Sequence, residues 1–252
     1  MKHNIGIFDS GSGGLSVLKE LVRLMPGERY FYFADNAFCP YGSKPKEAIL
    51  ERAKAITDHL IAKGADIIVI ACNTATAAAI KELRAAYDIP FVGMEPAVKP
   101  AAAMTRTGVA GVLATASTLG AEKYRTTKSY YEGDCRIVEH VGKGFVELVE
   151  SGILDGPEAE ATVRASLEPL LKEGADVIVL GCTHYPFLLP LMQRIAGPGV
   201  TFIDPAPAVA RQTARVLGIK IPGTEAGNHS TDISLEASGD MSPLTRIYGL
   251  IS

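Results

Sequence analysis

Residues 60–72, LIAKGADIIVIAC, return at 170–182 as LLKEGADVIVLGC, an ungapped offset of 110 residues with seven of thirteen positions identical. Ile67–Ile70 and Val177–Leu180 are short, rich in β-branched residues and preceded by Gly-Ala-Asp. That composition predicts strands buried on both faces of a parallel sheet. Each copy ends in a cysteine, so Cys72 and Cys182 fall at the carboxyl ends of their strands, where open α/β sheets hold their ligands. Hydroxyl-rich tetrapeptides follow, Asn73-Thr74-Ala75-Thr76 and Thr183-His184-Tyr185-Pro186. Strong helix propensity over 75–83 places Cys72 near a helix N-terminus, where the dipole favours a thiolate. Pro186 is expected to open the corresponding helix after Cys182.

The duplication predicts an α/β protein of two similar lobes, each a mostly parallel sheet flanked by helices. Pseudo-two-fold symmetry would relate the lobes, with the active site between them. A strand at Ile5–Phe8, the turn Asp9-Ser10-Gly11-Ser12-Gly13-Gly14 and a helix from Leu15 to Met25 open the first lobe. Val109–Leu113 and the hydroxyl turn Thr115–Thr118 open the second in the same order. A helix is expected over 46–63 and another over 158–172, each feeding a cysteine strand. The segment after Asp204 is expected to return to the first lobe. The predicted boundaries are therefore 1–97 plus 207–252 for the first lobe and 98–206 for the second. Residues 220–231 read as Gly-rich loop, and Ile233–Gly239 as an added edge strand. Asn228-His229-Ser230 has the form of a glycosylation sequon only.

A net charge of −3 with mixed signs gives no basic face for nucleic acid. No stretch approaches a membrane span, and the N-terminus runs straight into a strand, unlike a signal peptide. A cytoplasmic location is expected, with Cys39, Cys72, Cys135 and Cys182 as thiols. They lack CxxC spacing, and neither a metal-ligand cluster nor a cofactor lysine motif stands out. The Gly-rich turn resembles a dinucleotide fingerprint, with Asp35 as the ribose acid, but Ser16 replaces the third glycine.

Two thiols across one crevice suit removal of a proton from one face of a carbon and its return to the other. A thiol near pKa 8.5 is tunable into that range, with Asp9 and His184 as the adjacent tuning groups. Because the Cα–H of an amino acid is a very weak acid, charge developing on its carboxylate needs donors. Asn73, Thr74 and Thr183 stand beside the cysteines to supply them.

FDSGSGGLSVLKEL (8–21), CPYG (39–42), IACNTATA (70–77), EPAVKPA (95–101), LGCTHYPFL (180–188) and IDPAPAVA (203–210) occur in order. On these segments the chain resembles the glutamate racemases, within the wider aspartate/glutamate racemase superfamily. The resemblance implies a cofactor-independent enzyme without a metal that makes D-glutamate for peptidoglycan, and so for cell-wall biogenesis and cell shape. It implies Cys72 and Cys182 as the acid/base pair, assisted by Asp9 and His184, with Glu150 as a further catalytic carboxylate by spacing. It also implies glutamate contacts from Asp9, Ser10, Tyr41, Gly42, Asn73, Thr74, Thr115, Thr118 and Thr183, and a homo-oligomer, a dimer. The chain departs from that pattern at Phe38, where arginine is frequent. It departs again at Val141-Gly142-Lys143-Gly144, where Cys-Pro is expected, and at Glu147, where proline is usual.

Blander roles stand beside these. Cys39 and Cys135 fit buried small hydrophobes, Asp9 fits a helix cap, and Glu150 fits a solvated helix residue. His3, His59, His140 and His229 fit surface or satisfied histidines. Two further functional classes remain: a two-lobed solute-binding protein that tolerates loss of both thiols, and a single-cysteine decarboxylase or isomerase.

Overall fold

The computed structural model describes residues 2–220 and 231–251. In chain order the elements are β1 (Asn4–Asp9), α1 (Leu15–Leu24), β2 (Arg29–Ala34), α2 (Lys46–Ala62), β3 (Ile67–Ile70), α3 (Asn73–Ala86) and β4 (Phe91–Gly93). There follow α4 (Val98–Met104), β5 (Val109–Ala114), α5 (Ala116–Gly120), α6 (Glu122–Tyr131), β6 (Arg136–Val141), α7 (Phe145–Ser151), α8 (Pro157–Lys172), β7 (Val177–Gly181), α9 (Leu189–Ala196) and β8 (Thr201–Ile203). The chain closes with α10 (Ala206–Val216), β9 (Asp232–Ala237) and α11 (Ser242–Tyr248).

The chain forms two compact units, Met1–Met94 with Ala206–Ser252, and Glu95–Pro205. The first holds a five-stranded sheet in the order β4-β3-β1-β2-β9, and the second a four-stranded sheet in the order β6-β5-β7-β8. Every pairing is parallel. Read from their first strands, both sheets run second-first-third-fourth, so the repeat is one of topology as well as sequence. In each, successive crossovers leave the first strand in opposite directions, which makes the gap between first and third strands a switch point. The strand expected near the C-terminus is β9, paired with β2 at the sheet edge. Most of the loop expected at 220–231, with the Asn228-His229-Ser230 sequence, lies outside the described residues.

Repetition of Gly-Ala-Asp has a local cause. Gly64 and Gly174 both take φ +88° as the chain leaves α2 and α8. Ala65 N–H then donates to Leu60 O and Ala175 N–H to Leu170 O, each at 3.1 Å, which closes the last carbonyls of the two helices in the same way. A residue with a Cβ is strained at that φ. The aspartate that follows accepts a backbone N–H from the chain entering a neighbouring strand: Asp66 from Asn4, the first residue of β1, at 2.8 Å, and Asp176 from Arg106, in the turn before β5, at 2.9 Å. β3 and β7, just beyond, are buried at every position, as expected of strands covered by helices on both faces.

One expectation needs correction. Pro186 opens only a 3₁₀ turn, Tyr185–Leu188, and the α-helix begins at Leu189. Pro190 has no N–H to give the carbonyl of residue 186, so an α-helix cannot run unbroken through both prolines. Cys182 therefore has no α-helix N-terminus directly behind it, unlike Cys72. The helix expected after the Thr115–Thr118 turn comes as two pieces, the short α5 and then α6.

Candidate active site

In the first unit, β1 and β3 are adjacent and in register through Phe8 and Ile70, so Asp9-Ser10 and Cys72-Asn73 emerge side by side at the switch point. Asp9 is fully buried, and its Oδ2 accepts N–H groups from Gly11 at 3.2 Å and Gly14 at 3.0 Å. It thus shapes the Gly-rich turn as a cap would. Cys72 is the N-cap of α3: its sulfur accepts from Ala75 N–H at 3.4 Å and lies 3.7 Å from Ser10 Oγ. A sulfur on the end of a 14-residue helix sits in a field that favours negative charge. Next to it, Asn73 is buried, and its Nδ2 has no hydrogen-bond partner among the described residues. A buried amide donor left unpaired costs about 1–3 kcal/mol. It marks a place where an acceptor belongs. Thr74 is buried beside it.

Tyr41 is buried in the same apolar cluster as Cys72 and Ala75, and its hydroxyl donates to Asp35 Oδ2. Burial, then this bond, hold the phenol well above its ordinary pKa. Asp35 is itself fully buried and gripped by Arg52, with Nε at 2.9 Å from Oδ2 and Nη2 at 2.6 Å from Oδ1. The ribose-binding role considered for Asp35 is therefore excluded, since both carboxylate oxygens are already engaged. Gly42 lies in the short 3₁₀ turn that carries Tyr41.

The second unit builds its site at the corresponding place. β5 and β7 pair through Ala114 and Gly181, which brings Thr115 and Cys182 to adjacent strand ends. Thr115 Oγ1 caps α5 by accepting Thr118 N–H at 3.2 Å and lies 2.9 Å from Thr118 Oγ1. Cys182 and Thr183 are buried. The Cys182 sulfur is 3.8 Å from His184 Nδ1, and His184 Nε2 is 2.7 Å from Glu150 Oε1. His184 is only 2% exposed. A thiol, an imidazole and a carboxylate thus stand in line, the imidazole held on one side by the group that fixes its tautomer.

α7 reaches this position despite the altered segment that precedes it. Gly142 N–H donates to Ala114 O at 3.1 Å, and Gly142 O accepts the Tyr185 hydroxyl at 3.3 Å. Phe145 meets the Tyr185 ring edge-on at 5.0 Å between centroids. Burial, then the nearby Cys182, hold the Tyr185 phenol well above its ordinary pKa. Elsewhere Cys135 is buried in an apolar cluster, where burial raises its pKa, and no cysteine is in a disulfide. His59 pairs with Glu236 at 2.7 Å. No helix among the described residues is long and apolar enough to cross a membrane.

Arg52 is the participant that sequence reading passed over. It lies 17 residues from Asp35, on a helix whose two lysines, Lys46 and Lys54, are exposed, and no motif surrounds it.

Comparison with known proteins adds a direct finding. The family described as Asp/Glu/Hydantoin racemase matches residues 5–213. The glutamate racemase of Ectopseudomonas mendocina is 51% identical over 215 residues, covering 85% of this chain and 82% of that protein. The glutamate racemase of Herpetosiphon aurantiacus is 46% identical over 246 residues, covering 96% and 95%. Among solved structures, Escherichia coli glutamate racemase in complex with L-glutamate and the activator UDP-MurNAc-ala superposes with a TM-score of 0.87. Its sequence identity is 31%, over 100% of this chain and 94% of that one.

Proposed function

Since the chain belongs to the Asp/Glu/Hydantoin racemase family, we propose that it interconverts L- and D-glutamate without a cofactor, with Cys72 and Cys182 as its two acid/base groups. The observation that carries this reading is the recurrence of one arrangement: in each unit a cysteine follows the third strand, beside the end of the first, at the switch point of a sheet. In the reaction one thiolate removes the Cα proton while the other thiol delivers its proton to the opposite face. The C–H bond broken and the C–H bond formed lie on opposite sides, so the centre inverts and the two sulfurs exchange protonation states. The reverse reaction uses the same groups in exchanged roles. The reading requires both sulfurs to address one Cα from opposite sides, with the two units facing each other in pseudo-two-fold fashion.

Acid–base groups of this kind supply about 10²–10⁴ in rate. The rest must come from stabilising charge on the substrate carboxylate. The buried, unpartnered Asn73 Nδ2 supports a donor role there, with Ser10, Tyr41, Gly42, Thr74, Thr115, Thr118 and Thr183 as further contacts. Asp9 at one strand end and the His184–Glu150 pair at the other serve the two thiols. We assign the product, D-glutamate, to peptidoglycan synthesis, with a cytoplasmic homodimer as the working form.

Incubating the protein with each enantiomer of glutamate, and separately of aspartate, and following optical rotation tests the proposal. Glutamate is expected to reach the racemic mixture from either side, and Cys72→Ser and Cys182→Ser each to lose at least about 10²-fold. Racemisation of aspartate alone would overturn the substrate. Full activity of either serine variant would overturn the two-thiol reading.

A further inference from the structure

Cys72 shares its buried apolar cluster with Tyr41, whose hydroxyl donates to the carboxylate of Asp35. Asp9 ends β1 and Ser10 follows it, Asp35 and Tyr41 follow β2, Arg52 lies on α2, and the first turn of α3 brings no acidic residue. Asp35 is tied to this place through its backbone, since its N–H donates to Asp9 O at 2.9 Å. Its carboxylate is fully buried, receives the Tyr41 hydroxyl, and meets Arg52 in a two-pronged fork. The guanidinium also lies 4.1 Å over the ring of Phe38, whose N–H donates to Asp35 O at 3.0 Å. Arg52 is thus fixed from two sides, by a charge and by a ring face.

We infer that Arg52 is a positioning residue for Cys72: its fork on Asp35 cancels a buried negative charge near the thiol and keeps the Tyr41 hydroxyl committed to that carboxylate. This rests on the reading of Cys72 as a working thiol. A carboxylate left buried without its partner disfavours a second negative charge close by. Loss of Arg52 then makes the thiolate harder to form. Loss of the Asp35 charge, with Arg52 retained, makes it easier. A role confined to holding the loop in place would make both changes act in the same direction.

The test is the rate of iodoacetamide alkylation at Cys72, followed by mass spectrometry of its peptide, in the full chain at pH 6 without glutamate. Below the thiol pKa this rate tracks the thiolate fraction. Arg52→Gln is expected to slow it about tenfold, and Asp35→Asn to speed it several-fold. Asp35→Asn/Arg52→Gln is expected to return close to the wild-type rate, and Arg52→Lys, which keeps the charge, to stay close to it. Arg52→Gln at the wild-type rate, or Asp35→Asn at or below it, overturns the inference. Should Arg52→Gln fail to fold, Asp35→Asn still decides, because it leaves no buried carboxylate unpaired. Absence of glutamate racemisation by the wild type would strike the functional proposal and leave the order of alkylation rates to be read independently.

Discussion

Asp66 and Asp176 hold the same place in the repeated Gly-Ala-Asp, yet their replacement by alanine is expected to cost very different amounts. Asp66 is exposed and accepts one N–H, from Asn4 at 2.8 Å. A single exposed bond of that kind is worth about 0.5–1 kcal/mol. Asp176 is buried and gathers a whole turn: Thr105 Oγ1 at 2.5 Å, Thr107 Oγ1 at 3.0 Å, Arg106 N–H at 2.9 Å and Thr107 N–H at 3.3 Å. Burial raises its pKa, but these donors together outweigh it and lower the carboxyl from 3.8 to about 2. Because the folded pKa is below the unfolded one, the carboxylate stabilises the fold above the unfolded pKa. That contribution fades as pH falls from about 4 and is gone below about 2. The full shift corresponds to roughly 2 kcal/mol. The carboxyl lies just beneath the surface, where solvent screens part of that, leaving about 1–2 kcal/mol. Urea unfolding followed by circular dichroism is expected to show Asp176→Ala less stable than Asp66→Ala at pH 7, with the gap narrowing as pH falls below 4. Equal midpoints at pH 7, or a gap that does not change with pH, would refute the reasoning.

Glu150→Gln keeps the shape of the group on His184 Nε2 and removes its charge; the 2.7 Å contact predicts a fall in kcat of about ten- to hundred-fold with KM nearly unchanged, and a rise confined to KM would contradict it. At Gly142 an added Cβ would meet Tyr185 Cζ at 2.6 Å. Gly142→Ala should therefore lower stability by about 1–3 kcal/mol, read as a lower Tm, and an unchanged Tm would mean that the buried ring yields freely.

The parts of the fold legible in the sequence are those with a local physical cause. The β-branched runs before Cys72 and Cys182, the Gly-Ala-Asp helix endings and the strand-end turns at Asp9 and Thr115 all speak through neighbours a few residues away. The bounds of α6 carry no mark in the sequence, because EKYRTTKSYY buries only Tyr124 and so has no apolar stripe. The turn at Tyr185–Leu188 was read as a helix because Pro186 suits a helix start, while Pro190 forbids its continuation. In the site, the cysteines are announced by their duplication. The Glu150–His184 contact joins residues 34 apart and the Arg52–Asp35 fork residues 17 apart. No periodicity or spacing rule carries such pairs, which exist only once sheet and helices have been assembled.

The claim on which all of this turns is that two sulfurs, one from each repeat, serve one carbon. L-Glutamate supplied in D₂O and sampled at the earliest turnover, with both enantiomers recovered and weighed for isotope at Cα, tests it directly. The account predicts D-glutamate fully deuterated and unreacted L-glutamate still carrying hydrogen. D-Glutamate that retains the original hydrogen, or unreacted L-glutamate labelled as fast as the product, would mean that a single group takes and returns the proton.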